Sequence, residues 1–266
     1  MNKLTTLHDA VALIGDGACV GLGGNTLNRA PMAAVFELAR QGRKHLRVVK
    51  TAGAMDVDTL CMAGCADVVD AGFISYETHY GLAQRYRLSV QNGLVRANEH
   101  ACYTVISALR AAAYGIPFMP VRGLKVSDLR QVNDYFADVT DPFTGETLAA
   151  VKAIRPDFAI IHAQVADAQG NALIEGPKYE DVLFSRAADK VIVTAERIVG
   201  DGWFAANEQK ADVPHFMVSA VVHARRGAAP GACYGCYEPD DAQLKRFLAL
   251  EDADDLKRYL QGRDGQ

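Results

Sequence analysis

RPDFAIIHAQVADAQGNALIEGP, residues 155–177, and SRAADKVIVTAERIV, residues 185–199, decide the fold. Within them FAIIHA (158–163) and KVIVTA (190–195) are short apolar runs bounded by polar turns. Runs of that length, rich in β-branched residues, read as strands buried on both faces. Ala168-Gln169-Gly170-Asn171 is a turn between two strand-like pieces. Upstream, strand-like Ala18–Leu22, Leu46–Thr51 and Ala66–Phe73 alternate with helical Thr6–Ile14, Ala30–Arg40 and Asp56–Met62. Helices over Gly81–Val90 and Thr104–Tyr114 follow, the second stopped by Gly115-Ile116-Pro117, and Asp240–Gly262 reads as a charged amphipathic helical tail. Such alternation predicts an α/β fold, a largely parallel sheet covered by helices on both faces, as one domain over residues 1–266. Leu124–Glu146, long, polar and weakly periodic, is expected to be a functional or mobile loop.

Composition narrows the classes. Half of the 266 residues are apolar, enough for a sizeable core. A net charge of -4, from 28 basic and 32 acidic side chains, argues against a nucleic-acid surface, since Arg225-Arg226 and Arg40–Arg47 are only short basic stretches. No run approaches the roughly 18 apolar residues of a membrane span, and Met1–Asp9 lacks the apolar core of a signal peptide. Six dispersed cysteines without such a signal lead us to expect reduced thiols, a cytoplasmic location and no membrane partner.

The turn Gly21-Leu22-Gly23-Gly24-Asn25-Thr26 follows a predicted strand and precedes a helix. It is not a dinucleotide fingerprint. Thr26 stands where G-x-G-x-x-G needs glycine, and the next strand ends in Lys50-Thr51 without the acid that holds a ribose. Two readings stay open for Gly23, Gly24 and Asn25: close approach to a ligand or an anion, or a tight turn set by packing alone.

Three blocks together carry a resemblance. They are Asp16-Gly17 with GLGG (21–24) and Arg29-Ala30-Pro31-Met32; TVISALRAAAYGIPFMPVRG (104–123); and the 155–199 block quoted above. In this arrangement the chain resembles the α subunits of family I coenzyme A-transferases, the glutaconate and 3-oxoacid type. The resemblance runs over most of the chain, and Arg29 with Pro31 is nearer the glutaconate-type branch. It implies a β subunit, in an αβ or α2β2 complex, that brings the catalytic glutamate in a Ser-Glu-Asn-Gly sequence, which this chain lacks. It also implies coenzyme A as a substrate, acyl-CoA and carboxylate partners, and no permanently bound cofactor or metal. In a related branch of ring-opening CoA-ester hydrolases the important carboxylate belongs to the α chain, and Glu99 is its nearest positional match here.

On that reading the α chain lends Gly23–Asn25, Ser75–Gly81 and the Glu99 region to the substrate side. Glu77 and His79 lie at a predicted strand-to-helix turn, where ligands collect at the carboxyl edge of a parallel sheet and where acids also cap helices. Glu99-His100 occupies the next such turn, where an acid can equally stabilise its own helix. Cys233-Tyr234-Gly235-Cys236 is a lone C-x-x-C, a weak metal or redox signal, in a loop whose Tyr234 or Tyr237 could touch substrate. His162 and Gln164 share a strand face and fit satisfied core residues.

Overall fold

The computed structural model describes residues 2–124 and 126–262. Its main sheet has nine strands: β1 (Leu4–Thr5), β2 (Cys19–Leu22), β3 (Leu46–Gly53), β4 (Ala66–Ile74) and β5 (Arg96–Glu99), then β9 (Phe158–Asp167), β10 (Ala172–Leu173), β11 (Lys190–Val199) and β12 (Val218–His223). A second sheet is made of β6 (Phe118–Val121), β7 (Phe136–Thr140) and β8 (Thr147–Lys152). The main order is β1-β12-β11-β9-β2-β3-β4-β5, every neighbour parallel, with β10 folded back antiparallel on β9 through the predicted 168–171 turn. Asp167 Oδ1 caps that turn, accepting from the amides of Gln169, Gly170 and Asn171.

β9 holds the centre. All ten of its residues are buried, and it pairs with β11 from Phe158↔Lys190 to Asp167↔Val199 and with β2 at Val20 to Leu22. Alternation sorts its side chains: Phe158 and Ile160 enter one apolar core, Ala159, Ile161 and Ala163 the other. The first core is closed by helices Met32–Arg40 and Met55–Met62 and by two C-terminal helices. Helices Cys102–Ala113 and Asp181–Ala187 cover the second. Among the described residues no helix is long and apolar enough to cross a membrane.

Two expectations change. The 124–146 stretch is not simply a loop: Leu129–Val132 is helical and β7 joins the antiparallel sheet, sending Phe136 into the second core beside Val121, Ala149 and Val151. The tail is two helices, Asp241–Leu248 and Ala253–Gln261, because Asp252 leaves helical geometry and caps the second through the amides of Asp254 and Asp255.

Helix Met55–Met62 is buried at every position, two acids included. Asp56 accepts from the amides of Ala54 and Val57 and faces Lys50 Nζ at 3.0 Å. Asp58 accepts from Tyr86 N at 2.7 Å and Tyr76 Oη at 3.1 Å. Burial outweighs those bonds and pushes the Asp58 carboxyl from 3.8 up to about 6. Across that window the folded protein holds a proton that the unfolded chain has released, so the stability Asp58 contributes falls as pH rises. Asp58→Asn is therefore expected to gain on the wild type by roughly 2–3 kcal/mol between about pH 4 and pH 7. Urea unfolding at both ends of the range checks this; parallel stability curves for the two proteins refute it.

Candidate active site

Strands β2 to β5 build outward in one direction and β9, β11 and β12 in the other, so the order reverses between β2 and β9. The crevice beyond the carboxyl ends of two such strands is where open α/β sheets place ligands. The glycine turn lies there. Gly23 N donates to Ile160 O of β9 at 2.9 Å, and a Cβ at Gly23 would come 2.2 Å from Asp181 Oδ1. Gly24 has φ +70°, and its Cβ would meet Arg29 O at 2.4 Å. Glycine is thus required at both positions, at Gly23 by crowding and at Gly24 by crowding and a left-handed backbone.

What crowds the turn is a buried ionic frame. Asp181 Oδ1 accepts from Gly24 N at 3.0 Å, and Oδ2 accepts from Arg29 Nη2 at 2.8 Å. The same guanidinium donates to His162 O and Pro177 O, at 2.9 and 3.0 Å. From the other side Lys50 Nζ donates to Gly23 O and Gly24 O and pairs with Asp56. The remaining turn amides are also committed: Asn25 N donates to Asn28 O, and Thr26 N to Ala52 O. The turn therefore does not offer an array of free amides to an anion, and close packing of the protein on itself accounts for its glycines. Arg29 adopts φ +55°, uncommon for a residue with a side chain, and the frame holds it there.

The other expected residues spread along the same edge. Glu77 opens the short helix Glu77–Tyr80 with φ +61°, its amide donating to Ser75 Oγ, and the residue is exposed. His79 stacks edge-on against Tyr80 at 4.5 Å, and Tyr80 Oη donates to Asp241, so this end of the segment faces the C-terminal helices. Glu99 ends β5 in a hollow of about 200 Å³ with Phe73, Tyr86, His100 and Leu129. Burial, with the nearby Cys61 and Glu99, lifts the Tyr86 hydroxyl to about 12. His100 beneath is buried, Nδ1 3.2 Å from Thr104 Oγ1 and Nε2 3.6 Å from Asp70. Three strand spacings, roughly 14 Å, separate Glu99 from the glycine turn, so the fold does not gather Gly23–Asn25 and Glu99 into one hollow.

His162 Nδ1 lies 2.9 Å from Thr194 Oγ1 and Nε2 lies 2.8 Å from Glu196 Oε1. Glu196 also accepts from Tyr237 Oη at 2.6 Å and from the amides of Arg226 and Gly227. Burial works to raise the Glu196 carboxyl, but the bonds from His162 and Tyr237 prevail and hold it below its usual range. Cys233 approaches the same pair closely enough for a metal site, yet the carboxylate oxygens already have protein donors, and the group is held together as a hydrogen-bond network. The Tyr237 hydroxyl is bonded to Glu196 and to the Ala228 amide, and Tyr237 and the two-thirds exposed Tyr234 both line a hollow of about 150 Å³ with Asn28, Arg29 and Tyr179. Sequence reasoning missed Asp181, Lys50 and Glu196 as members of the site. Lys50 and Glu196 had one signal, charge on or beside a predicted strand, where Lys50 shares the parity of Leu46 and Val48; Asp181, at the start of a helix, had none.

Asp181→Asn strands the buried Arg29 charge and is expected to cost about 3 kcal/mol or more. In a chain of this length that is a fall in Tm of roughly 6–12 °C. Calorimetry measures it, and an unchanged Tm contradicts the frame.

Residues 4–224 match the family described as Coenzyme A transferase. The A chain of glutaconate CoA-transferase from Acidaminococcus fermentans is 34% identical over 264 residues, covering 93% of this chain and 82% of the relative. The solved structure of that enzyme superposes with a TM-score of 0.88 over 99% of this chain and 93% of its own, at 31% identity. The A chain of 3-oxoadipate CoA-transferase from Pseudomonas knackmussii is 37% identical over 247 residues, 91% of this chain and 86% of the relative. Similarity extends to other chemistry: a cholesterol ring-cleaving hydrolase IpdA subunit of Mycobacterium tuberculosis is 34% identical over 265 residues, 93% and 87% of the two chains. The structure of the decarboxylase AibA/AibB, solved as a cysteine-to-serine variant, gives a TM-score of 0.89 at 34% identity over 98% of both chains. With the match spanning both sides of the β2/β9 crevice, this protein belongs to the coenzyme A transferase family as an A-type subunit.

Proposed function

We propose that this chain works with a β subunit to move CoA between an acyl-CoA and a carboxylic acid of the dicarboxylate or 3-oxoacid class. The observation that carries the reading is the state of the crevice: its glycine-turn amides and its ionic groups are committed to the protein itself. The chain also lacks the Ser-Glu-Asn-Gly sequence that carries the glutamate nucleophile in the family it resembles. A site framed on one side and lacking its nucleophile suits a second subunit closing over it, in an αβ or α2β2 assembly within the cytoplasm. Residues 1–266 act in it as one domain.

In the complex a glutamate carboxylate from the β chain attacks the thioester carbonyl, forming a mixed anhydride and releasing CoA thiolate. The thiolate attacks the glutamyl carbonyl and expels the first acid, leaving an enzyme-bound glutamyl thioester. A second carboxylate repeats the exchange in reverse, and the thioester's energy is kept because water is excluded. No permanently bound cofactor or metal enters these steps, and CoA is a substrate. Gly23, Gly24 and Asn25 shape the crevice wall, while Glu77 and His79 border its entrance on the β4 side.

Hydrolysis is the second reading, favoured by Glu99: an exposed residue in its own hollow, in a chain 34% identical to a ring-cleaving hydrolase subunit. Here Glu99 serves as base or nucleophile for cleavage of a β-diketone-like CoA ester.

An assay of the copurified pair with several acyl-CoAs, with and without acceptor acids, separates the two. Transfer requires that a new CoA ester form only when an acceptor is present, and Glu99→Gln should then change kcat by less than about threefold. Free CoA released without any acceptor, together with a loss of about 100-fold or more in Glu99→Gln, establishes hydrolysis instead.

A further inference from the structure

The hollow beside Arg29 is a part of the crevice that the reactions above leave without a task. Two loops make it, one after β2 and one after β12, both at the carboxyl edge of the sheet. Main-chain bonds zip them together, Arg29 N to Ala232 O and Ala232 N to Leu27 O, each at 2.7 Å. Its aromatic walls are held in place. The Tyr234 ring packs where Gly176 has no side chain, since a Cβ there would come within 2.7 Å, and Tyr234 O accepts from Gln164 Nε2 at 3.0 Å. Tyr179 lies over the Arg29 guanidinium, 5.8 Å from ring centre to charge.

The polar groups of this hollow have bonds to spare, but its cation has none. Among the described residues the Asn28 carboxamide and the hydroxyls of Tyr179 and Tyr234 make no hydrogen bond, and all three residues are exposed. Arg29 donates to His162 O, Pro177 O and Asp181, while exposed Glu238 stands at the rim. A carboxylate therefore finds no charge partner here. A neutral chain of amides and methylenes fits: the carboxamide and hydroxyls both donate and accept, and the ring faces cover methylene groups.

Charge collects just beyond. Arg225 and Arg226, exposed residues after β12, border a second hollow of about 150 Å³ with Leu7 and Ala33. Arg40, also at this hollow, is engaged by Leu260 O and Glu37. Among the described residues no carboxylate pairs with the Arg225 or Arg226 side chain. Arg226 stands 4.8 Å over the ring of Tyr237, which lines the first hollow, so the two hollows meet at this stacked pair. Guanidinium groups without acid partners suit phosphates, whose oxygens they bind two at a time.

We propose that these adjoining hollows hold coenzyme A on this chain: Asn28, Tyr179 and Tyr234 seat the amide-bearing pantetheine arm, and Arg225 with Arg226 takes the phosphates of the nucleotide end. The inference rests on CoA as the carrier, which the transfer and hydrolysis readings share, and adds the residues that grip it. The arm runs past Arg29, whose partner Asp181 holds Gly24, so the thioester end lies toward the glycine turn. No bond is made or broken in either hollow.

The test uses the copurified pair and one acyl group on three carriers: CoA, pantetheine and N-acetylcysteamine. Arg225→Ala combined with Arg226→Ala should lower the ratio of kcat/KM for the CoA ester to that for the pantetheine ester about tenfold. Tyr234→Ala and Asn28→Ala should each lower the ratio for the pantetheine ester to that for the N-acetylcysteamine ester about fivefold or more. Tyr234→Phe, which keeps the ring, should stay within about threefold. Ratios that do not move, whether all three esters lose alike or none loses, overturn the proposal. Binding is measured apart from turnover: CoA should raise the Tm of the wild-type pair, and the double arginine variant should shrink that shift to the one pantetheine gives. An equal CoA shift in wild type and variant overturns the phosphate assignment. If CoA binds in this manner while neither a new ester nor free CoA ever forms, both activity readings fail and the groove stands. If an active pair shows unmoved ratios, the groove fails and the activity reading stands.

Discussion

The ion pair between Arg29 and Asp181, with side chains 3% and 0% exposed, is the constraint on which the crevice depends. Taking both charges out of water costs more than their attraction returns unless the remaining donors and acceptors are filled. Here they are filled from the two halves of the sheet. The guanidinium reaches the β9 carbonyl of His162 and the loop at Pro177, and the carboxylate reaches the amide of Gly24 after β2. The pair is thus a cross-brace at the reversal of strand order, and several local features follow from it. Side chains at positions 23 and 24 would collide with it or with the backbone it fixes. Lys50 completes the arrangement by neutralising the carbonyl side of the same turn and the buried Asp56.

A brace of this kind turns the chain into a frame. Its deep polar groups spend their bonds on one another, while Glu77 and Glu99 stay exposed along the edge. Rigid framing suits the covalent transfer proposed above, in which reacting groups must meet within a fraction of an ångström.

Much of the architecture was legible in the sequence because the strands are buried on both faces. FAIIHA and KVIVTA carry their assignment in unbroken hydrophobicity, and the glycine turn marks the crevice at one of its lips. The small antiparallel sheet was not legible. β6 contains Pro120, β8 (TLAAVK) carries two alanines at its centre, and β7 alternates only weakly, so local preference speaks against strands that docking onto the second core stabilises. The buried charges were hidden for a related reason. A lysine or aspartate in a sequence reads as solvated, and only the partner supplied by a distant segment, Asp56 for Lys50 or Asp181 for Arg29, makes its burial tolerable. Glu99 and Glu77 were visible because strand ends can be located from the strands.

The place of β9 at the middle of the sheet has a consequence for how the protein is made. Chain synthesis delivers β2 to β5 first, four parallel strands with an unsatisfied edge at β2, and more than half of the polypeptide must emerge before Phe158–Asp167 can cover it. Asp181 arrives later still, and β1 waits for Val221 and Val222 before it has a neighbour. The nascent chain therefore exposes a bare apolar strand edge for much of its time on the ribosome, and the crevice takes shape only near the end of translation, as a single late closure.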